Sequence, residues 1–312
     1  MSDLRKDILR TLVYHDVFDY SLTLEQILKF FLPTSKTVAL NSKLPSEIKK
    51  WLKRLQQEKK VFKKENFYFL SCSTTSKEAN LKDKADLRKE REKYAQQKLK
   101  VVVKIVRVLR YIPWIKLIAL TGGLTMKNSD KDDDIDFLII TSKNRLWLTR
   151  LLVIVFLEIL GKRTKPGSAK AKDKICPNLF LDELALSMPL RKRNLFIAHE
   201  ICQMQPVFDR DHTYKKFLQA NIWVKKYLPC ALIEMKGNFL YKQKLGHKTA
   251  RFWLLDFLEN LAYKTQLNYK KLKKNFPEIS PHYAFFHILN QEKNILNKFR
   301  QKCLIYRLYN SS

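Results

Sequence analysis

The sequence predicts an α+β protein, and three observations carry that prediction. Apolar residues recur at three- and four-residue spacing in the N-terminal segment and again after Met188, the period of an amphipathic helix. Between these helical regions, short apolar runs (KLIALTGG, FLIIT, CPNLFLDELAL) alternate with one long apolar helix, the mark of a mixed sheet covered by helices. Two further short runs, VFKK and FYFL, flank the polar pair EN and read as a hairpin. A chain of 312 residues is long for one domain, so two or three are expected.

Residues 1–72 read as three helices and then the hairpin. Leu4, Ile8 and Leu12 share one face of the first helix, and Thr23 with Gln26 makes a capping box for a second helix through Phe31. The third helix opens near Pro45 and carries Ile48, Trp51, Leu52 and Leu55 as its apolar stripe. This order of elements resembles the winged helix-turn-helix domain, with the third helix in the recognition position. Lys49, Lys50, Lys53 and Arg54 lie on that helix's polar side, and Lys63 and Lys64 sit in the hairpin. They are candidate contacts to the phosphates of RNA or DNA. They read equally as a solvated basic face on a module that mediates other contacts.

Residues 73–112 form a basic linker helix. Its first part is polar and mixed in charge, and its continuation, VVVKIVRVLRYI, is apolar enough to dock on the neighbouring domain. Pro113 ends it. Residues 113–190 hold the strand candidates. The apolar run Leu146–Leu160 contains Arg150 and Glu158 and falls short of the ~20 residues that span a bilayer, so it reads as a buried helix. Residues 191–312 read as a helical C-terminal region. Its last part, Tyr241–Ser312, holds 14 basic and 4 acidic residues.

The net charge is +31, from 61 basic and 30 acidic residues. That balance favours nucleic acid, nucleotides or an anionic surface as partners. The abundance of Lys, Asn, Ile and Phe also fits an A/T-rich genome with no selection for binding. Five scattered cysteines without CxxC or Cys/His spacing argue against a zinc site or a disulfide framework. The N-terminus MSDLRKDIL is not a signal peptide. A reduced cytoplasmic protein with no membrane partner is expected.

The densest chemistry lies in TGGLTMKNSDKDDDIDFLIIT, Thr121–Thr141. Gly122 and Gly123 close one apolar strand, and Asp134 and Asp136 open the next. Residues i and i+2 of a strand share a face, so the two carboxylates point together. Like charges held that close call for a cation, here a hard divalent one such as Mg2+. The glycines allow close approach of backbone to a phosphate.

An apolar strand, Gly122-Gly123, ten intervening residues and then Asp134-Ile135-Asp136-Phe137 resembles the signature of the DNA polymerase beta-like nucleotidyltransferase superfamily. The resemblance covers Lys116 to Leu190. The three-helix unit, the linker and the stretch Phe208–Val224 resemble what accompanies this domain in a group of uncharacterised bacterial proteins. The resemblance implies transfer of a nucleoside monophosphate from a nucleoside triphosphate to a hydroxyl, with loss of pyrophosphate and with two Mg2+ ions bound. It makes Asp134 and Asp136 the metal ligands and catalytic carboxylates. It places Gly122 and Gly123 at the triphosphate, with Lys127 and Lys131 near enough to screen phosphate charge. The family's third carboxylate falls early in the third strand, where this chain has Asn178, a weaker and neutral ligand. Asp182 is four residues further, roughly 13 Å along an extended strand, and substitutes only in another register.

Two functions therefore stand side by side. One is a Mg2+-dependent nucleotidyltransferase. The other is a nucleic-acid-binding regulator whose transferase domain binds nucleotide with little or no turnover. An antibiotic-type adenylyltransferase, which needs an acidic acceptor pocket, fits the basic surroundings of the motif less well. Elsewhere, His199-Glu200 begins an HExxH pattern, but Gln203 stands where the second histidine belongs, so His199 reads as a satisfied helix residue. Asp209-Arg210-Asp211-His212 reads either as an acceptor-binding loop or as a helix cap with local ion pairs. His282 and His287 are given no role.

Overall fold

The computed structural model describes residues 2–34, 42–70, 79–165, 171–231, 241–243, 253–272, 278–286 and 288–308. The fold is α+β. The chain opens with α1 (Ser2–Asp16), α2 (Leu24–Lys29) and α3 (Leu44–Gln57), then the hairpin β1 (Val61–Lys64) and β2 (Phe67–Leu70). Thr23 and Gln26 form the capping box at α2, with side-chain and backbone bonds in both directions. Pro45 lies in the first turn of α3, where its missing N–H costs nothing. Leu22 pairs with Tyr68 and so adds one rung to the hairpin.

The long α4 (Ala79–Leu109) leads to the central strands β3 (Ile115–Leu120), β4 (Ile135–Thr141) and β5 (Ile175–Asp182), with α5 (Leu146–Ile159) between β4 and β5. Beyond residue 190 come α6 (Leu195–Gln203), β6 (Gln205–Arg210), α7 (Thr213–Ala220), β7 (Tyr241–Gln243), α8 (Trp253–Leu272), β8 (Glu278–Ile279), β9 (Tyr283–Phe285) and α9 (Ile288–Ile305). The region expected to be helical thus supplies strands as well. The sheet runs β7-β6-β3-β4-β5-β9-β8, so its central strands are flanked on both sides by later ones. β4 and β5 pair in parallel and β3 runs antiparallel to both β4 and β6. The short runs QPVFDR and YAF carry too few alternating residues to announce themselves; pairing with a formed sheet gives them strand geometry.

Period-two alternation sorts the sheet's apolar residues onto two faces. Leu117, Ala119, Leu138, Ile140, Leu179 and Leu181 face one core, which also takes in the N-terminal helices, α6 and α9. Ile118, Leu120, Phe137, Ile139 and Phe180 face the other, packed under α4, α5 and α8. The apolar end of α4 docks as its composition implies, through Val102, Ile105, Val106 and Leu109. The α5 helix is buried on one side only: Val153 and Leu157 are inside, whereas Leu151, Val155, Phe156 and Ile159 are exposed. The expected buried helix is therefore buried along one face, through Leu146, Trp147, Val153 and Leu157. Among the described residues no helix is long and apolar enough to cross a membrane.

The N-terminal unit is tied to the loop between β3 and β4. The Tyr20 hydroxyl donates to the Met126 carbonyl at 2.6 Å, and Asn128 Nδ2 donates to the Phe18 carbonyl at 3.1 Å. From α4, Arg91 binds Asp130 and Asn128, and the buried Lys98 ammonium donates to the carbonyls of Lys131 and Asp133. An acidic loop is thereby held in place from two sides, and the carboxylates beyond it inherit a fixed position.

Candidate functional site

The site forms where β3 ends and β4 and β5 begin. β3 is antiparallel to β4, and β4 is parallel to β5, so the C-terminal end of the first meets the N-terminal ends of the other two. Gly122 lies just past β3, Asp134 and Asp136 bracket the start of β4, and Cys176 and Asn178 lie near the start of β5. A cleft of about 280 Å3 opens there. It is lined by Asp133, Asp134, Asp136 and Glu200 together with apolar side chains that include Leu179, Met188, Phe196, Ile197, Ile201, Met204 and Ile295.

The expected pairing of Asp134 and Asp136 is present. Oxygens of both, together with Cys176 Sγ, lie within 4.8 Å of one another. Burial raises the Asp136 carboxyl well above its usual range, and the charges of Asp134 and then Glu200 raise it further. Burial and the two aspartates likewise push the Cys176 thiol up, and its S–H donates to Asp134. Oxygen donors gathered so tightly, with like charge unrelieved, match what a divalent cation requires. The residues present therefore fit a metal ion.

Asn178 occupies the position on β5 that the sequence assigns it, and its Nδ2 donates to Asp136 Oδ1 at 2.7 Å. It orients the carboxylate and presents a donor, not a ligand. Asp182 is not an alternative. It pairs with Thr141 at the far end of the β4–β5 ladder, fully buried, and accepts from the backbone N–H of Asn144 and Leu184 and from His282 Nδ1. It is a turn-building carboxylate with its oxygens already engaged, and His282 is its partner.

A third carboxylate reaches the cleft from a helix. Glu200 of α6 accepts from the Gly122 N–H at 3.2 Å through Oε2. Burial pushes its carboxyl up to about 7, partly opposed by that hydrogen bond. Gly122 has φ +68°, and a Cβ there would lie 2.7 Å from Asp136 Oδ2. Gly122 thus touches both carboxylates through its backbone, and a side chain there would collide with Asp136. The motif assigns Gly122 to phosphate; in the fold its N–H is committed to Glu200. The glycines open a five-residue 3-10 turn, Gly122–Met126, not a longer helix.

The HExxH pattern misses Glu200, because Gln203 breaks it. A usable signal exists all the same: FIAHEICQM places one carboxylate on an otherwise apolar helix, between the buried residues Ile197 and Ile201. Cys176 pairs directly with Asp136, just ahead of a bulge that leaves Asn178 outside the paired register, an irregularity that strand alternation does not foretell. His199 is buried and stacks on Tyr14 at 4.0 Å between ring centres, with Nδ1 near Gln203 Nε2. Its Nε2 has no partner among the described residues, so it is not fully satisfied as expected.

Lys127 and Lys131 lie in the loop and do not line the cleft; Lys131 contributes its carbonyl to Lys98. No Lys or Arg lines the cleft among the described residues, so the chain's positive charge lies elsewhere. Some of it is on α3, where Lys49, Lys50, Lys53 and Arg54 are exposed, Arg54 lying over the Trp51 ring. Lys63 is exposed in the hairpin, whereas Lys64 pairs with Asp86. The segment 209–212 is a helix lead-in with local bonds: Asp209 accepts from the Tyr214 N–H and Asp211 pairs with Lys116. The β3–β6 register places it at the opposite end of β3 from Gly122. His287 lies outside the described residues.

No protein-family model matches this chain, and no curated protein or solved structure is similar to it.

Proposed function

We propose that the chain is a Mg2+-dependent nucleotidyltransferase that moves a nucleoside monophosphate from a nucleoside triphosphate to a hydroxyl acceptor. The observation that carries this reading is one cleft lined by Asp134, Asp136, Glu200, Gly122 and Gly123, with Gly122 packed close to Asp136 and its N–H bonded to Glu200. Asp134 and Asp136 hold the metal, with Asn178 fixing the Asp136 carboxylate. Bound Mg2+ supplies charge neutralisation at the triphosphate. Glu200, whose carboxyl burial pushes up to about 7, takes the proton of the acceptor hydroxyl. The hydroxyl oxygen then bonds to the α-phosphorus, the bond from that phosphorus to the bridging oxygen breaks, and pyrophosphate leaves. The apolar side chains of the cleft suit a base or another flat, weakly polar group.

In this reading residues 1–72 are a winged helix, residues 113–190 the catalytic domain, and the protein acts in the cytoplasm. No disulfide joins the described cysteines, in keeping with a reducing compartment. The acidic cleft favours a neutral or cationic acceptor over a polyanion, so RNA or DNA would meet the exposed face of α3 instead.

A second reading, a nucleic-acid-binding regulator with a weak or inactive transferase domain, is favoured by one observation. The third strand meets Asp136 with an amide instead of a carboxylate. Incubation with α-labelled nucleoside triphosphates, Mg2+ and a panel of hydroxyl acceptors separates the two. Label transfer abolished by Asp134→Ala and by Glu200→Gln supports the enzyme. Nucleotide binding without transfer, with duplex binding weakened by substituting Lys49, Lys50 and Lys53, supports the regulator.

A further inference from the structure

We infer that Cys176 is the third protein ligand of this metal site, and that the site selects thiophilic divalent ions over Mg2+. The inference rests on the metal-binding part of the function proposed above and not on nucleotidyl transfer. Three facts place the sulfur in the ligand set. Cys176 is the direct partner of Asp136 in the parallel β4–β5 ladder, so the two side chains leave the sheet on the same face. Its Sγ lies within 4.8 Å of oxygens of both Asp134 and Asp136. Its thiol is hydrogen-bonded to Asp134, so loss of that proton leaves a sulfur lone pair directed at the carboxylate pair.

The competing side chain on β5 is engaged with the carboxylate pair through its amide N–H. Asn178 turns its N–H group toward Asp136 Oδ1, and an N–H cannot ligate a cation. Glu200 lies outside the tight cluster, its Oε2 held by the Gly122 N–H. The set that remains nearest the carboxylate pair is therefore O, O and S. A cation entering it displaces the thiol proton to solvent and binds the thiolate, which turns an unfavourable buried S–H–carboxylate contact into a coordinate bond. Thiolate is a poor ligand for Mg2+ and a good one for Zn2+, Co2+ and Cd2+, while the two carboxylates keep Mn2+ and Mg2+ within reach at higher concentration. The substitution of sulfur for oxygen at this point would make the identity of the bound ion, and not its presence alone, a property of β5.

The test is absorption spectroscopy of the full-length, metal-free protein titrated with Co2+, and then competition with Cd2+, Mn2+ and Mg2+. The expected result is a near-ultraviolet thiolate-to-cobalt band that saturates at one equivalent and disappears in Cys176→Ser. Cys176→Ser should also weaken Cd2+ binding by at least about 10-fold, the scale on which the surroundings of a site tune metal affinity, while leaving Mg2+ affinity nearly unchanged. Cys176→Asp is the second variant: it should lose the band, keep Co2+ binding and gain affinity for Mg2+. Far-ultraviolet circular dichroism of each variant reports folding, and the variant that retains the parent spectrum decides the outcome. Co2+ binding that depends on Asp134 and Asp136 but shows no thiolate band overturns the role of Cys176 and leaves the carboxylate site standing. No Co2+ binding at all overturns the metal site itself. A band that survives Cys176→Ser assigns the sulfur to another cysteine and overturns the inference.

Discussion

The two ends of the β4–β5 ladder carry similar residues in opposite circumstances. At one end, Asp182 is fully buried and its oxygens accept from two backbone N–H groups and one histidine. At the other, Asp136 is partly buried, accepts from one amide, and faces Asp134, Glu200 and a thiol. The first carboxylate is saturated with donors and builds a turn. The second has more negative neighbours than donors. Sequence position distinguishes them poorly, since both are aspartates at strand ends. What distinguishes them is the balance of donors and charges around each oxygen, and a deficit of donors marks the end at which a ligand is needed.

The largest effect should come from breaking the deficient end. Asp136→Asn should lower the transfer rate roughly a thousandfold, the equivalent of about 4 kcal/mol of transition-state stabilisation. The same change should leave the metal-free protein as stable as before or more so, because a neutral amide relieves repulsion with Asp134 and Glu200. Asp182→Ala should do the reverse. It strands the N–H groups of Asn144 and Leu184 and should cost about 3 kcal/mol in denaturant melts. The folded fraction should keep its metal affinity. Equal stability losses from the two substitutions would break the distinction.

Much of this is legible in the sequence, and the failures share a cause. The capping box of α2, the hairpin, the strand pair β3–β4 and the Asp134/Asp136 pair are all local patterns, fixed by residues near each other in the chain. Glu200, Cys176 and the strands β6 and β9 are not local. Glu200 meets Gly122 from 78 positions away, and β9 becomes a strand only by pairing with Leu179, Phe180 and Leu181. Propensity and spacing describe what a segment can be; the partner that completes it is chosen by tertiary packing. The acidic character of the cleft is hidden for the same reason, since a net charge of +31 says nothing about which side chains converge.

The N-terminal unit offers a third environment, a buried histidine packed among rings, and pH separates it from the other two. Burial holds His15 down to about 4, against a backbone acceptor at Thr11 that raises it and the Arg88 charge that lowers it further. Its ring packs against Tyr14, Tyr20, Phe30 and His199. In the unfolded chain His15 takes up a proton below about pH 6.5, whereas in the fold it does so only near 4, so unfolding binds a proton between those values. The stability this contributes is complete above pH 6.5 and is lost as pH falls to about 4, up to about 3 kcal/mol. Melting curves from about pH 7 to about pH 4.5 should show a shallower decline for His15→Phe than for the parent. An unchanged slope would assign the acid sensitivity to the carboxylates instead.

The finest test separates backbone strain from the site itself. Gly122 and Gly161 both adopt positive φ, +68° and +61°. An alanine Cβ at Gly161 would meet nothing within 4 Å, whereas at Gly122 it would sit 2.7 Å from Asp136 Oδ2. Gly161→Ala should therefore cost only the left-handed backbone penalty, about 1–2 kcal/mol, with no change in cation affinity. Gly122→Ala carries the same backbone penalty and must also push the Asp136 carboxylate off the position that Asn178 sets. Its excess over Gly161→Ala, read as lost cation affinity in a titration of the folded protein, measures how far the site depends on one missing methyl group. If both substitutions lower stability equally and neither touches cation binding, Gly122 is a turn residue, and the proximity of Asp136 to it has no functional consequence.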